Sequence, residues 1–341
     1  MNYYIGIDVS LKDSSLCVVD GHGKIIREGK VASEPEDLVT WLRALKFDLT
    51  RIGLEAGPLS QWLHATLRQA GFAVELLETR HVRNALKIMP VKTDRNDARG
   101  IAELMRLGWF RPVHCKTMEA QERRALLTAR KLMQTKFHDI EFSLRGILRG
   151  FGLKVGKTTR ARFPARIKQL VAGHPHLEAI ADSLLTSRLA LQREFNRLDK
   201  QLRAIARSDS RARLLMSTPG VGPIVALTYA SAIDDPARFT SSKRVGPYFG
   251  LTPTKYQSGE TDVDGRISKI GDASVRANLY EAAHSILSKP LKGCTALKSW
   301  AMRLARRAGP NKAKVALARK LAVIMHRMLV DTMPFHDAAK A

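Results

Sequence analysis

The feature that most restricts what this chain can fold into is a switch in hydrophobic period about a third of the way along it. Up to Leu107, short apolar runs of strand length alternate with amphipathic stretches, whereas from Glu119 onward apolar residues recur at threes, fours and sevens. Strand spacing and helix spacing bury different faces, so a single layer type cannot serve both parts. At least two architectures must share the chain.

In the first part, Tyr3–Asp8, Ser14–Val19 and Lys24–Val31 read as strands, and the turn Asp20-Gly21-His22-Gly23 makes them an antiparallel meander. Ser33 with Glu36 three residues later has the form of a capping box that opens a helix running through Leu45. Arg51–Glu55 is a fourth strand, Leu59–Ala70 a helix, Phe72–Leu77 a fifth strand and Arg95–Leu107 a further helix, giving the order βββαβαβα. In the second part, Leu126, Met133, Phe137, Ile140, Leu144 and Ile147 mark one long helix, and Leu191, Phe195, Leu198, Leu202 and Ile205 mark another. Two such seams make a helical hairpin or coiled-coil arm, paired either within the chain or with a second subunit. Lys154–Lys168, between them, reads as a basic connector, and residues 210–335 as a mostly helical domain with one irregular stretch, Gly250–Gly271. The expected class is α/β plus α, with domains at 1–112, 118–208 and 209–335.

Charge follows the same division. The chain holds 57 Lys and Arg against 32 Asp and Glu, a formal charge of +25. Residues 1–100 contribute 14 basic and 13 acidic side chains, which leaves 43 and 19 for the rest. A polyanion is therefore the expected partner of the C-terminal two-thirds. The segment Arg303–Arg327 carries eight basic residues and no acidic one, which favours phosphate contact over a merely solvated face. A membrane surface is the rival, but no apolar run approaches the roughly 20 residues of a spanning helix, so no membrane partner is expected. Cys17, Cys115 and Cys294 are odd in number and widely separated, which argues against a disulfide framework or zinc site and for a reducing cytoplasm.

Four carboxylates stand where chemistry is done. Asp8 ends the first strand and Glu55 the fourth, and in this element order those strands can be parallel neighbours. Asp94 and Asp97, in Lys92-Thr93-Asp94-Arg95-Asn96-Asp97-Ala98, are three apart at a helix start and share a face; Thr93 or Asp94 is also a candidate N-cap, which is the plain structural alternative for that carboxylate. Carboxylates held together repel unless a cation intervenes. Such a set suits a hard cation, Mg²⁺ with Mn²⁺ as its substitute, in phosphodiester chemistry.

In the last domain, Thr218-Pro219-Gly220-Val221-Gly222-Pro223 joins two apolar helices in the manner of a helix-hairpin-helix, in which backbone N–H groups around Gly220 and Gly222 approach a phosphate; a plain helix–helix turn is the alternative. Lys255, Arg266 and Lys269 are candidate phosphate contacts. Ser258-Gly259 reads only as a turn, because no neighbouring His or Asp supplies the base a serine nucleophile needs.

Taken in order, Gly6-Ile7-Asp8, Glu55-Ala56, Lys92–Ala98, Pro219–Gly222, Gly250-Leu251-Thr252-Pro253, Gln257-Ser258-Gly259 and Gly265–Lys269 resemble the DEDD-type insertion-sequence transposases across nearly the whole chain. The resemblance implies a RuvC-like, ribonuclease H-like N-terminal domain, with Asp8, Glu55, Asp94 and Asp97 binding Mg²⁺. It implies a serine-bearing transposase domain in which Ser258 forms a covalent phosphoserine link to DNA. It also implies a homo-oligomer, dimer or tetramer, with a composite site, a bridge RNA guiding recognition of donor and target DNA, and a cytoplasmic, nucleoid-associated location. One departure is that Ala56 meets Gly57 directly, where many relatives insert Thr or Ser. Two further readings are a junction-resolving nuclease using metal-activated water, and a non-catalytic nucleic-acid-binding scaffold.

Overall fold

The computed structural model describes residues 2–87, 89 and 91–337. Its backbone divides into two compact units, Met1–Lys116 and Thr117–Ala341.

The first unit holds β1 (Tyr3–Asp8), β2 (Asp13–Asp20), β3 (Ile25–Ala32), α1 (Pro35–Arg43), β4 (Leu49–Glu55), α2 (Ser60–Gln69), β5 (Val74–Leu77), α3 (Thr79–Leu86) and α4 (Asp94–Leu107). The strands form one mixed sheet of order β3-β2-β1-β4-β5, antiparallel through the meander and parallel from β1 to β4 and from β4 to β5. Strand alternation puts Ile5, Ile7, Leu16, Val18, Ile52 and Leu54 into one core with Leu38, Leu42, Leu63 and Leu67 of α1 and α2. The opposite face carries α4. Across it runs a single row in register, Glu28–Cys17–Gly6–Gly53–Glu75, whose three central members are small.

That row explains how closely α4 can approach. A Cβ on Gly6 would lie 2.1 Å from the Ala98 carbonyl oxygen and 2.3 Å from the Ala102 nitrogen, and one on Gly53 would lie 2.8 Å from Met105 Cγ. The helix thus rests on backbone, and Ala98 and Ala102 bury against Cys17 and Val19. Two local expectations are corrected here. Ser33 does not cap α1: its hydroxyl is buried, 2.7 Å from the Ser10 carbonyl and 2.8 Å from the Ser14 hydroxyl, and Glu34 occupies the cap position without a side-chain bond. Helix α3 was not expected, since its polar, basic sequence buries only Val82.

The second unit begins with α5 (Met118–Gly150), α6 (Phe163–Val171) and α7 (Pro175–Ser208). Helices α5 and α7 pair with each other, sharing Phe137 against Phe195 and the Arg130–Asp199 ion pair at 2.6 Å, so the seams are satisfied within the chain. Ile147 is not part of the seam and is exposed. Lys154–Lys168 is no mere connector: α6 buries Phe163, Ile167 and Val171 against Leu144, Leu148, Leu177 and Leu185, closing the end of the pair. Then follow α8 (Ser210–Met216), α9 (Pro223–Ile233), α10 (Val245–Tyr248), β6 (Pro253–Ser258), β7 (Thr261–Ile267), α11 (Ala273–Ser288), α12 (Thr295–Ala308) and α13 (Pro310–Asp331). The core of this part gathers α9, α11 and α13 around Tyr229, Leu279 and Leu321, with Leu126 and Leu127 of α5 packed onto it. The stretch expected to be irregular contains an antiparallel hairpin, β6 with β7.

Candidate active site

Two residues beyond Gly6 and Gly53 on the same sheet face, β1 and β4 end in Asp8 and Glu55. Ile7 and Leu54 are paired in the parallel register, so the two carboxylates occupy the next step of adjacent strands. Helix α4 runs antiparallel to β1: Ala98 and Ala102 lie over Gly6, while Glu103 and Arg106 lie beside Gly23 at the other end of the sheet. Its first turn, with Asp94 and Asp97, therefore faces the Asp8 end. Thr93 is the N-cap, its hydroxyl accepting from the Asn96 N–H at 3.2 Å, which leaves both aspartates free of capping duty.

Electrostatics records the convergence. Burial, then Asp97, then Asp94 push the Asp8 carboxyl up to about 6, opposed by Lys92. Glu55 is raised by burial, then by Asp8 and Asp97, again opposed by Lys92 and by the Thr79 hydroxyl. Lys92 and Thr79 belong to this neighbourhood although sequence reasoning did not single them out as site residues; Lys92 was visible only as part of the Asp94–Asp97 motif. Among the described residues, no three His, Cys, Asp or Glu side chains stand as a ready-made metal cage. Mg²⁺ seldom uses one, binding instead through one or two carboxylates with water and substrate phosphate completing its shell. Oxygen donors that repel each other at two strand ends and a helix turn fit that ion.

The pose of α4 has its own anchor. Glu28 on β3 accepts from Arg99 Nε at 2.6 Å and Nη2 at 3.0 Å, and from Arg95 Nε at 2.9 Å. Those bonds, Arg99 first and then Arg95, pull its carboxyl down to about 2. Glu28 thus pins the turn of α4 that carries the aspartates, a role visible only once β3 and α4 are seen side by side.

In the second unit, Ser258 and Thr261 close the β6–β7 hairpin through a two-residue turn in which Gly259 has φ +55°. From Pro253 to Arg266 every residue is exposed. Lys255 is paired across the hairpin with Asp262 at 3.0 Å, while Arg266 and Lys269 are exposed. The base of the hairpin is rigid: a Cβ on Gly250 would meet the Ile270 oxygen at 2.2 Å, and Arg276 Nη1 lies 2.9–3.1 Å from the carbonyls of Phe249, Ile270 and Gly271. Gly220 and Gly222 differ in kind. Gly220 takes φ +81° and a Cβ on it would lie 3.0 Å from the Ala282 carbonyl oxygen, whereas nothing lies within 4 Å of a Cβ on Gly222, the cap residue of α9.

Two segments of the chain match known families. Residues 5–152 match the family model DEDD_Tnp_IS110, described as a transposase, and residues 212–296 match Transposase_20, the transposase IS116/IS110/IS902 family. The transposase for insertion sequence element IS1111A of Coxiella burnetii is 30% identical, over 95% of this chain and 89% of its own. A Pseudomonas aeruginosa protein described as "Probable family 20 transposase" is 28% identical over 82% of this chain and 83% of its own. A solved structure, Thermus thermophilus RuvC, aligns with 33% of this chain and 99% of its own at 18% identity and a TM-score of 0.25, a likeness too slight to argue from.

Proposed function

We propose that this chain, which belongs to the IS116/IS110/IS902 family of transposases, cuts and exchanges the DNA strands of an insertion sequence with the Asp8, Glu55, Asp94 and Asp97 carboxylates and the Ser258 hydroxyl. The observation that carries this reading is the meeting of Asp8, Glu55, Asp94 and Asp97 at one end of the α4-covered sheet face, where burial and the neighbouring carboxylates make Asp8 and Glu55 harder to ionise. The N-terminal unit is then a ribonuclease H-like domain of the RuvC kind, α5–α7 an arm, and the remainder the transposase domain, with α8 and α9 acting as a helix-hairpin-helix.

The four carboxylates would hold Mg²⁺ or Mn²⁺, which when bound neutralises charge on the phosphoryl and leaving oxygens. Lys92 adds a fixed positive charge beside them. Ser258 Oγ attacks phosphorus, loses its proton and forms the O–P bond as the P–O bond to the departing strand breaks and that oxygen is protonated. Attack by a new strand's hydroxyl reverses the step, restoring Ser258 and joining the strands with no net change in phosphoester bonds. The exposed hairpin suits a nucleophile that reaches its partners only in an assembled homo-oligomer, dimer or tetramer, with the carboxylates and Ser258 drawn from different subunits. Gly220, Gly222, Arg266 and Lys269 would touch phosphate, and Lys255 would exchange Asp262 for one. A bridge RNA would supply the choice of donor and target sequence.

The test is to incubate the full chain with DNA of the element's ends and Mg²⁺, denature it, and look for protein–DNA adducts carrying phosphoserine at 258. Strand exchange retained by Ser258→Ala would end this reading. One observation favours a second: no hydrogen bond is made to the Ser258 hydroxyl among the described residues, so no base is already in place on it. A junction-resolving nuclease that uses water instead of Ser258 would give hydrolysis without any adduct.

A further inference from the structure

The end of the α5–α7 arm, where α6 closes it, carries a surface that the reading above leaves unused. Between Phe142 and Leu177 there is no Asp or Glu, while Arg145, Arg149, Lys154, Lys157, Arg160, Arg162, Arg166 and Lys168 all fall within that span. Some are occupied by the fold. Arg145 donates to the Gly156 carbonyl at 2.8 Å, Arg166 reaches the carbonyls of Val155 and Lys154, Arg160 lies over the Phe137 ring, and Lys168 pairs with Asp182. These contacts occupy the carbonyl oxygens of Lys154, Val155 and Gly156. Arg149, Lys154, Lys157 and Arg162 are exposed and have no hydrogen bond or ion pair from their side chains among the described residues.

Lys157, Thr158, Arg162, Arg166 and Gln169 line an open recess of about 480 Å³. On the same end of the arm, Phe142 and Phe151 stand 70% and 62% exposed. Solubility does not call for a single-sign surface of this density, which destabilises itself by repulsion unless an anion covers it. A second copy of the chain meeting it through the same surface would bring like charge to like charge. Exposed aromatic rings among unpaired cations are the combination that holds an unpaired strand, the cations on phosphate and the rings under bases.

We infer that the α6 end of the arm is a nucleic-acid-binding surface, with Lys157 and Arg162 on the phosphodiester backbone and Phe151 stacking an unpaired base. The inference rests on family membership, not on the chemistry proposed for Ser258, and is read by binding instead of strand exchange. The test uses full-length protein, the double variant Lys157→Glu/Arg162→Glu, and Phe151→Ala, with a single-stranded RNA, a single-stranded DNA and a DNA duplex of one sequence. Salt is titrated between about 50 and 200 mM. Because neither cation has a partner in the fold, melting should be unchanged. The double variant should bind roughly tenfold more weakly and lose about 1.4–1.8 from the slope of log affinity against log salt. Phe151→Ala should weaken only the single strands, roughly fivefold or more. Whichever single strand suffers the larger loss identifies RNA or DNA as the occupant. Photocrosslinks from a thiouridine-bearing strand should map within residues 142–177. Unchanged affinity and slope with every probe, crosslinks only elsewhere, or an altered oligomer mass with unaltered binding would each overturn the inference.

Discussion

The acidic end of the α4-covered sheet and the Ser258 hairpin are built on opposite principles. Asp8 and Glu55 are half-buried, held by paired strands, and pressed by a helix that rests on backbone at Gly6. Ser258 lies on a ribbon that is exposed from Pro253 to Arg266 and whose base is closely packed and hydrogen-bonded. Packing fixes the first set in place. The second has a fixed stem and a tip that nothing in the hairpin packs against.

Disturbing the seat of α4 should produce the largest effect. Gly6→Ala forces a Cβ against backbone atoms of Ala98 and Ala102 that cannot rotate away, and should cost about 3 kcal/mol or more, enough to lower amide protection across the N-terminal sheet by roughly a hundredfold in hydrogen exchange. Native-like protection would mean that α4 is not seated as described. Next comes the hairpin stem, where Arg276→Ala removes the guanidinium that binds three carbonyls. A loss of about 1–3 kcal/mol is expected, visible as faster exchange at Leu251 and Ser268 with the N-terminal unit unaffected. Unchanged exchange there would make the stem as loose as the tip.

Glu28→Gln should lower the melting temperature of the N-terminal unit by a few degrees at neutral pH. Its folded pKa of about 2 lies below the ordinary 4.5, so the wild-type advantage is complete above 4.5 and disappears as pH falls from 4.5 toward 2. An advantage that persists at pH 2 would remove the Arg99 and Arg95 bonds as its cause. Asp8 has the opposite sign. Raised from 3.8 to about 6, it favours the fold when protonated, so without divalent cations stability should decline as pH rises from 3.8 to 6. Asp8→Asn should flatten that decline, and Mg²⁺ should raise the melting temperature of the wild type alone; an equal rise in the variant would detach the cation from this carboxylate. The smallest effect on stability belongs to Ser258→Ala, within about 0.5 kcal/mol by chemical denaturation, as befits an exposed tip. A larger change would show that the tip is braced after all.

Much of the sheet was legible because its central strands are covered on both faces and so appear as short apolar runs: the β1 bounds Tyr3–Asp8 and the neighbouring parallel pair β1 and β4 follow from those runs and their order. The hairpin was not, since alternation signals a strand only when one face is buried, and neither face of β6–β7 is. Ser33 misled for a related reason. A serine before a helix with Glu three residues on satisfies the capping pattern, but the β2 neighbour Ser14 and the Ser10 carbonyl offered it a buried alternative that no local pattern contains. The basic loop of the arm hid α6 because charge was more conspicuous than the Phe163, Ile167 and Val171 stripe beneath it.

By itself the sequence determined the division of labour: alternating strands and helices with balanced charge first, then helical seams with nearly all the excess of positive charge. These are properties of composition and short-range periodicity, which one chain segment can specify alone. Only tertiary structure decided that Asp94 and Asp97 come to Asp8 and Glu55, and that Glu28 and Lys92 attend them. That convergence depends on how near a helix can come to a sheet, and the distance is set by the paired Gly6 and Gly53, where the absence of two side chains lets backbone meet helix.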